Sequence, residues 1–465
     1  MGILYPIVTL AYVARILGPV SLGKYYFANA LAAYFVFAAG LGIPVYGNRE
    51  VSRVRGNESA LRKTFTELFF INAVSTLFFA TLYVATVFIV PDFRAEYPLF
   101  LVFGLMILNN AITIDFFYAG LERQGHLAYR SLVSKIIAVA LIFALIKSPG
   151  DYVWFAGIAF VTVFVNSALA FGGLKYWGGM ALVGWRDLRR HVRPVILIAV
   201  SMVFINVYMN LDSVILGLMA NPHEVGLYNA AIRPCRLISV LLASMMGVAL
   251  PRLSYYLANG SGHDLQHALK KKSLEMLLMI AIPIAVTFAF CAPHIIDLLY
   301  GKEFSEASGS LVLASPLIVL NCLATFHVFQ IVIPLGKESF LVYAAAVGAI
   351  VSVALNVVLI PLMGYHGSIF AALATEVATV GVQIALLRGA GKGLLVFPTG
   401  IWRHLLAAAV LFSVQWFGLR GEGESLARLV VVWGISSGCY VGTLWLLREP
   451  LVRDVTSRLP FFRRA

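Results

Sequence analysis

Charged residues are what this 465-residue chain has least of: Asp, Glu, Lys and Arg together make 12% of it, against roughly 25% in an ordinary soluble domain. With 60% of the residues apolar and a mean hydropathy of +0.88, a water-soluble fold is excluded. Acidic residues are the scarcer sign, 22 against 35 basic, which leaves a net charge of +13. That surplus forms no basic domain. It is scattered through short connectors, which excludes a duplex-binding protein and leaves no nucleic-acid partner. The four cysteines, Cys235, Cys291, Cys322 and Cys439, sit singly inside apolar runs without metal-ligand spacing, and read as small buried hydrophobes. The chain has no Gly-x-x-x-x-Gly-Lys-Ser/Thr loop to cradle ATP phosphates and no His-Glu-x-x-His pair to hold zinc. Gly434-Ile435-Ser436-Ser437-Gly438 has the spacing of a nucleophile elbow, but it lies in an apolar helical run with no strand before it, so the match is chance. No connector is long enough to present carboxylates for glycosyl transfer. Enzyme chemistry, cofactors and metals are therefore not expected.

What is present is a series of apolar runs of helical length. At the roughly 20 residues that a bilayer core requires, about fourteen helices are predicted. Their cores fall at residues 2–16, 26–46, 67–90, 99–119, 132–146, 153–174, 195–219, 227–250, 274–299, 311–335, 340–360, 368–387, 404–419 and 429–447. Nearly all lysines and arginines fall in every second connector. Arg49, Arg53, Arg55, Arg62 and Lys63 form the first such group, and Arg123, Arg130 and Lys135 the second. Lys175, Arg186, Arg189, Arg190 and Arg193 follow, then Arg252 with Lys270, Lys271 and Lys272, then Lys337, then Arg388, Lys392 and Arg403. The tail adds Arg448, Arg453, Arg458, Arg463 and Arg464. Lys and Arg stay on the cytoplasmic side, where the leaflet is anionic and translocation is disfavoured. The pattern predicts a multi-pass protein of the cell (inner or plasma) membrane with both termini in the cytoplasm. The first run lacks a basic n-region and a cleavage site, so it reads as a span and not a signal peptide. At about 16 residues it is short for a bilayer, which points to a start upstream or to a tilted, shielded helix.

The chain resembles itself. Ile16-Leu17-Gly18 is followed by Gly23-Lys24-Tyr25 and Ala28, and Ile215-Leu216-Gly217 by Gly226-Leu227-Tyr228 and Ala231. A weaker echo sets Gly125 against Gly336. The offset equals six helices, so a parallel duplication is expected. Residues 1–194 form an N-terminal bundle (helices 1–6), 195–403 a C-terminal bundle (helices 7–12), and 404–465 two appended helices with the basic tail. Paired bundles suggest a transporter with its site between the halves.

Polar groups inside the apolar runs are the candidate site. Asn229, Arg233 and Arg236 fall at i, i+4 and i+7 on one face of helix 8. An arginine near a helix centre costs about 2.5–3.5 kcal/mol to insert, so two together are expected to face water or a partner. Two arginines three residues apart form a fork suited to phosphate oxygens, although an interfacial, outward-snorkelling pair is the plain alternative. Helix 7 brings Asn206, Asn210 and Ser213 to one face, with Asp212 beside it as either a neutralising partner for those arginines or an ion site. Asp115 in helix 4 and Glu376 in helix 12 are the other intramembrane acids. Arg15 and Arg49 could extend a basic lining, or Arg49 could simply anchor topology. Asn109, Asn110, Asn321, His327, Gln330, Asn356 and Gln383 read as helix–helix hydrogen bonders, and Pro44, Pro283, Pro316 and Pro334 as kinks.

The opening Ala11-Tyr12-Val13-Ala14-Arg15-Ile16-Leu17-Gly18-Pro19, then Gly23-Lys24-Tyr25, resembles the first-helix signature of polysaccharide-biosynthesis flippases. These are the O-antigen (Wzx-type) and teichuronic-acid exporters of the multidrug/oligosaccharidyl-lipid/polysaccharide transporter superfamily. Gly47-Asn48-Arg49-Glu50-Val51, Phe117-Tyr118-Ala119-Gly120-Leu121-Glu122, Leu211 to Gly217 and Val225 to Ala231 are similar to the corresponding segments of that family. The resemblance implies movement of a polyprenyl-pyrophosphate-linked oligosaccharide from the inner to the outer leaflet. Its partners would be that lipid-linked oligosaccharide, membrane lipids and other glycan-assembly proteins. Arg233, Arg236, Asn229, Arg15 and Arg49 would bind the anionic head, and Asp212, Asp115 or Glu376 would couple transport to an ion gradient. A peptidoglycan-precursor flippase, a drug/cation antiporter of the same superfamily, and a non-transporting glycan-assembly scaffold are the alternatives. The arginine pair argues against a cationic cargo.

Overall fold

The computed structural model describes residues 4–173, 180–258, 263–337, 339–391, 394–396, 400–419, 426–450 and 452. Lys175, Lys392, Arg453, Arg458, Arg463 and Arg464 of the expected basic connectors lie outside them, as does the side chain of Asn206. Among the described residues the regular structure is helical: α1 (Leu4–Gly40), α2 (Ile43–Val54), α3 (Glu58–Ile89), α4 (Tyr97–Asn109), α5 (Asp115–Gly120), α6 (Gln124–Leu145) and α7 (Tyr152–Gly173). Then follow α8 (Trp185–Met219), α9 (Pro222–Ala258), α10 (His263–Phe290), α11 (Ala292–Tyr300), α12 (Ala307–Ala314), α13 (Pro316–His327), α14 (Ser339–Met363), α15 (Tyr365–Ala390), α16 (Ile401–Leu419) and α17 (Leu426–Leu446).

Among the described residues, eleven helical runs are long and apolar enough to cross a membrane. The first, Thr9–Val54, contains α1, kinked at Gly18, whose φ of 69° no β-carbon would favour, and α2, set off from it at Leu41–Gly42. Leu362 and Ile89 are each 74% exposed and Phe417 71%. Large apolar side chains that open belong against lipid, since water would drive them together. This is an all-α, multi-pass membrane protein.

Four expected helices are discontinuous: helix 2 at Leu41–Gly42, helix 9 at Cys291, and helices 4 and 10. Helix 4 breaks between α4 and α5, where Thr113 is extended. The freed backbone is met by amides: Asn72 Nδ2 donates to the Asn110 carbonyl at 2.7 Å, and Asn110 Nδ2 donates to Thr76 Oγ1 at 2.9 Å. Asn109 Nδ2 reaches Ser167 Oγ at 3.1 Å. In a bilayer such side chains take the place of the absent water, and unpaired backbone there would cost several kcal/mol. Helix 10 breaks at Ser315, where Pro316 opens α13, and α13 runs into a π-turn at Val328–Val332. Helix 7 also starts earlier than its apolar core. Its first two turns are amphipathic and wet, with Asp187 paired to Lys63 at 2.7 Å. The Lys63 ammonium, helped by the Gly184 N–H, holds the Asp187 carboxyl below the usual carboxylate range.

The chain forms two compact units, Met1–Asn229 with Leu299–Glu303, and Ala230–Leu298 with Phe304–Ala465. This is a division by packing, whereas the 194/195 boundary expected above is a division by repeat. In the first unit α8 packs on α1, α2 and α3, and its Val195 and Ile198 join a core of Ile43, Tyr46, Phe65 and Phe116. In the second unit α10 packs on α13 and α16, α13 on α15, and α14 on α15.

Candidate functional site

Gly23 and Gly226 hold equivalent places in the repeated motif, and in the first unit each repeat leans on the other's backbone. A β-carbon on Gly23 would lie 1.7 Å from the Pro222 carbonyl oxygen, and one on Gly226 would lie 2.1 Å from that of Pro19. Gly217 faces the Phe27 ring with the same lack of room, 2.1 Å. The sequence repeat is thus a contact: the opening turn after Gly18 and the opening turn of α9 meet with nothing between them. Beside it lies a cavity of about 260 Å³. At its rim Lys24 pairs with Glu96 at 2.6 Å, and Tyr152 donates to the same carboxylate at 2.7 Å. Arg15, exposed on the turn before Gly18, lays its Cγ against Gly301.

Asp212 on α8 is buried and accepts the Tyr228 hydroxyl at 2.8 Å. Asn229 is buried beside Ser213, 3.4 Å away, and also donates to the Val225 carbonyl at 2.9 Å. Arg233 and Arg236, about three and four turns into α9, are partly buried, with Pro234 and Cys235 buried between them. Arg49 on α2 is exposed: its Nε donates to Glu50 at 3.2 Å, its guanidinium lies 5.2 Å from the Tyr46 ring centre, and Arg53 shares Glu50 at 2.9 Å. Glu376 is buried on α15, on the same turn as Thr375 and Thr379.

Asp115 opens α5 directly after the helix break. Its partner is Arg130 of α6, 3.0 Å away. Arg130 was read as a topology charge because the apolar core of helix 5 starts at residue 132, yet α6 begins at Gln124 and carries it inside. It is 1% exposed while the Asp115 side chain is 45% exposed. Arg130 also donates to the Asn166 carbonyl at 3.1 Å and covers the Tyr118 ring at 4.8 Å. The asymmetry predicts unequal mutants. Asp115→Asn leaves a buried cation unpaired and is expected to cost about 3 kcal/mol, whereas Arg130→Met removes the charge and is expected to cost about 1 kcal/mol. Thermal unfolding of both variants in detergent checks this. Equal losses would show that the pair, and not the buried guanidinium, sets the cost.

The intramembrane amides are engaged in packing bonds. His327 Nδ1 lies 3.1 Å from Gln383 Oε1, Gln330 donates to the Met246 carbonyl at 3.3 Å, and Asn356 to that of Ser352 at 2.9 Å. In the second unit α10, α13, α15 and α16 line an open apolar cavity of about 500 Å³, with Leu278, Leu323, Ile384, Leu405 and His327 in its wall. Reading along the chain could not reveal it, because apolar positions facing a void and facing a neighbour look alike. Among the described residues no cluster of three His, Cys, Asp or Glu is placed to hold a metal ion.

The fold has solved counterparts. "Lipid II flippase MurJ, inward closed conformation" superposes with a TM-score of 0.77 over 97% of both chains at 13% identity. The inward-facing conformation of a multidrug resistance MATE family transporter of the MOP superfamily superposes with 0.63, covering 84% of this chain and 94% of that one at 14% identity. In sequence the chain is 23% identical over 397 residues to the Escherichia coli (strain K12) protein named "Putative O-antigen transporter", 83% of this chain and 93% of that one. The profile of the polysaccharide biosynthesis protein family matches residues 1–257, more than half of the chain, and with it the opening motif, the reciprocal glycines and the arginine stripe. The chain belongs to the polysaccharide biosynthesis protein family.

Proposed function

We propose that this protein is a flippase that moves a polyprenyl-pyrophosphate-linked oligosaccharide from the inner to the outer leaflet for cell-surface polysaccharide synthesis. The carrying observation is the pair Arg233 and Arg236, spaced for one face of α9 and kept partly open in a chain otherwise short of intramembrane charge. A pyrophosphate needs such a fork, because its desolvation in hydrocarbon is prohibitive and guanidinium pairs bind phosphate oxygens bidentately. The family match, the O-antigen transporter relative and the flippase-like fold support the same reading.

In this reading Asn229, Arg15 and Arg49 extend the polar lining, and the two repeats alternate access around it. The closed contact of Gly23 with Gly226 is the outer seal. The prenyl chain stays in apolar surroundings, for which the 500 Å³ cavity of the second unit is suited. Leu323→Trp, which fills that cavity, is expected to slow flipping of a long-chain carrier about tenfold while a short-chain analogue moves normally. Equal slowing of both would remove the cavity from the tail's path.

Energy comes from an ion gradient in this reading, with Asp115, Asp212 or Glu376 as the coupling acid. Asp115→Asn, Asp212→Asn and Glu376→Gln are to be assayed in proteoliposomes with and without an imposed gradient. One of them is expected to make the rate independent of the gradient. Three folded variants that all retain wild-type dependence would sink this assignment.

A further inference from the structure

Ion pairs between α3 and α8 of the first unit set a register. Lys63 pairs with Asp187 at 2.7 Å, and Glu67 accepts from Arg190 Nη2 at 2.5 Å and lies 2.7 Å from His191 Nε2. Residues of one helix thus meet residues 123 or 124 further on, so α3 and the start of α8 run parallel and in step. Alongside these pairs the two helices line an open apolar groove of about 360 Å³. Val74, Ser75 and Phe78 of α3 and Trp185, Val192 and Ile196 of α8 stand in its wall. Val74, Phe78, Trp185 and Ile196 are exposed, so no described part of the chain fills it.

One edge of the groove is basic. Arg186, Arg189 and Arg193 follow one another at i, i+3 and i+7, which places them on one stripe of α8, and all three are exposed. Arg190, between them in sequence, is held by Glu67, and Lys63 by Asp187. Among the described residues no side-chain hydrogen bond, acid or ring meets the other three. Their stripe leads into the groove, because Val192 stands one turn past Arg189 and Ile196 one turn past Arg193. Trp185, one turn before Arg189, has the amphipathic ring that belongs at a membrane interface.

The wall also holds a polar group without a partner. Ser75 is 7% exposed, and its Oγ makes no hydrogen bond. A helical hydroxyl often answers burial by bonding the carbonyl four residues back, as Thr81 does with Leu77 at 2.8 Å. Ser75 leaves its hydroxyl for the groove. In the register of the ion pairs it stands level with Ala199, about 9 Å further along α8 than Arg193. Guanidinium, then hydroxyl, then apolar wall is the order in which a glycerophospholipid presents phosphate, ester and acyl chain.

We propose that this groove is a binding site for one anionic glycerophospholipid of the leaflet at the start of α8. Its phosphate rests on Arg189 and Arg193, an ester carbonyl accepts from Ser75 Oγ, and one acyl chain lies along Val74, Phe78 and Ile196. Charge chooses this occupant. Topology asks only for a number of basic residues, whereas unpaired guanidiniums along an apolar groove grip a phosphate while their stems cover the apolar edge. A zwitterionic head brings an ammonium that the same arginines repel. A polyprenyl phosphate has no ester for Ser75, so this site is not the cargo's, and the proposal does not rest on the flippase reading. The bound lipid makes the packing of α3 against α8 depend on the anionic content of the membrane.

The test uses the full chain in phosphatidylethanolamine nanodiscs without cargo, so its outcome is separate from that of the flippase reading. A trace of phosphatidylglycerol carrying a diazirine on one acyl chain is photolysed, and the labelled peptides are identified by mass spectrometry. Label is expected within residues 70–79 and 185–196, about tenfold more than from a phosphatidylethanolamine probe with the same chains. Unlabelled phosphatidylglycerol is expected to displace the probe, and a polyprenyl phosphate at the same concentration is not. Arg186→Gln/Arg189→Gln/Arg193→Gln should lose the tenfold preference. Val74→Trp, which fills the groove and leaves the arginines in place, should lose the label. Ser75→Ala should abolish any preference for ester-linked over ether-linked phosphatidylglycerol. Equal labelling by the two probes in the wild type would overturn the proposal and return the arginines to topology alone. Displacement by the polyprenyl phosphate as effective as by phosphatidylglycerol would overturn it in favour of the carrier. Absence of label on both helices, as when a second chain covers the groove, would overturn it too. Should the triple variant fail to fold, Val74→Trp and the two probes on the wild type still decide.

Discussion

Arg233→Ala/Arg236→Ala is expected to reduce the flipping rate of a polyprenyl-pyrophosphate oligosaccharide by about a hundredfold, on the basis of roughly 1.5 kcal/mol for each charge-assisted bond lost. The prediction carries its own control. Each arginine in a span raises the cost of insertion by about 2.5–3.5 kcal/mol, so alanine should leave the fold as stable or more so. A rate that collapses while the unfolding temperature holds or rises is the signature of residues kept for cargo. Arg233→Lys/Arg236→Lys retains both charges but not the planar fork, and should fall between, at about tenfold. A rate lost in step with stability would instead return the pair to a structural role.

Gly23→Val is expected to open the end of the first unit where the two repeats touch, and Gly226→Val to do the same. The atoms in the way are the Pro222 and Pro19 carbonyl oxygens, 1.7 and 2.1 Å from where β-carbons would stand. Backbone cannot rotate aside as a side chain can, so the helices must part, at about 1–3 kcal/mol or more. Ser21 reports the change. It is 9% exposed and bonded to the Pro149 carbonyl at 2.8 Å. Ser21→Cys should therefore resist a membrane-impermeant maleimide in the wild-type background and react in Gly23→Val. Transport should fall more than tenfold, because a seal that does not close cannot alternate. Gly157→Ala, where nothing lies within 4 Å, serves as the neutral control. Unchanged labelling in both valine variants would mean that the contact is packing and not a gate.

The all-helical class and the membrane setting were legible in the sequence because the bilayer punishes exposed charge and unpaired backbone over whole spans, leaving long apolar runs. The repeated Ile-Leu-Gly and Gly-x-Tyr elements were legible too, and the structure gives their reason in the reciprocal fit of Gly23 and Gly226. Local interruptions were not. The break at Asn110–Ile112 contains neither proline nor glycine. It is held by Asn72, Thr76 and Ser167 from other helices, and such partners are invisible to a reading along the chain. Arg130 was misread for a related reason: α6 extends past the apolar core of helix 5, so a buried charge in its flanking turns read as a loop charge. Hydrophobic periodicity locates what faces lipid better than what faces another helix. Of the candidate site, residue types and faces could be read, while pairings such as Asp212 with Tyr228 and Asp115 with Arg130 depend on tertiary contact.

The central claim is that this chain carries an anionic lipid-linked oligosaccharide across the bilayer. It is tested most directly by the outer-leaflet appearance of a fluorescently labelled polyprenyl-pyrophosphate oligosaccharide in proteoliposomes. Protein-free vesicles and Arg233→Ala/Arg236→Ala run beside the wild type, and a peptidoglycan lipid precursor serves as the competing cargo. The account predicts transport by wild type, loss in the double variant with its fold intact, and slower movement of the competing cargo. No transport of the labelled lipid by folded wild-type protein, with or without an imposed ion gradient, would contradict it.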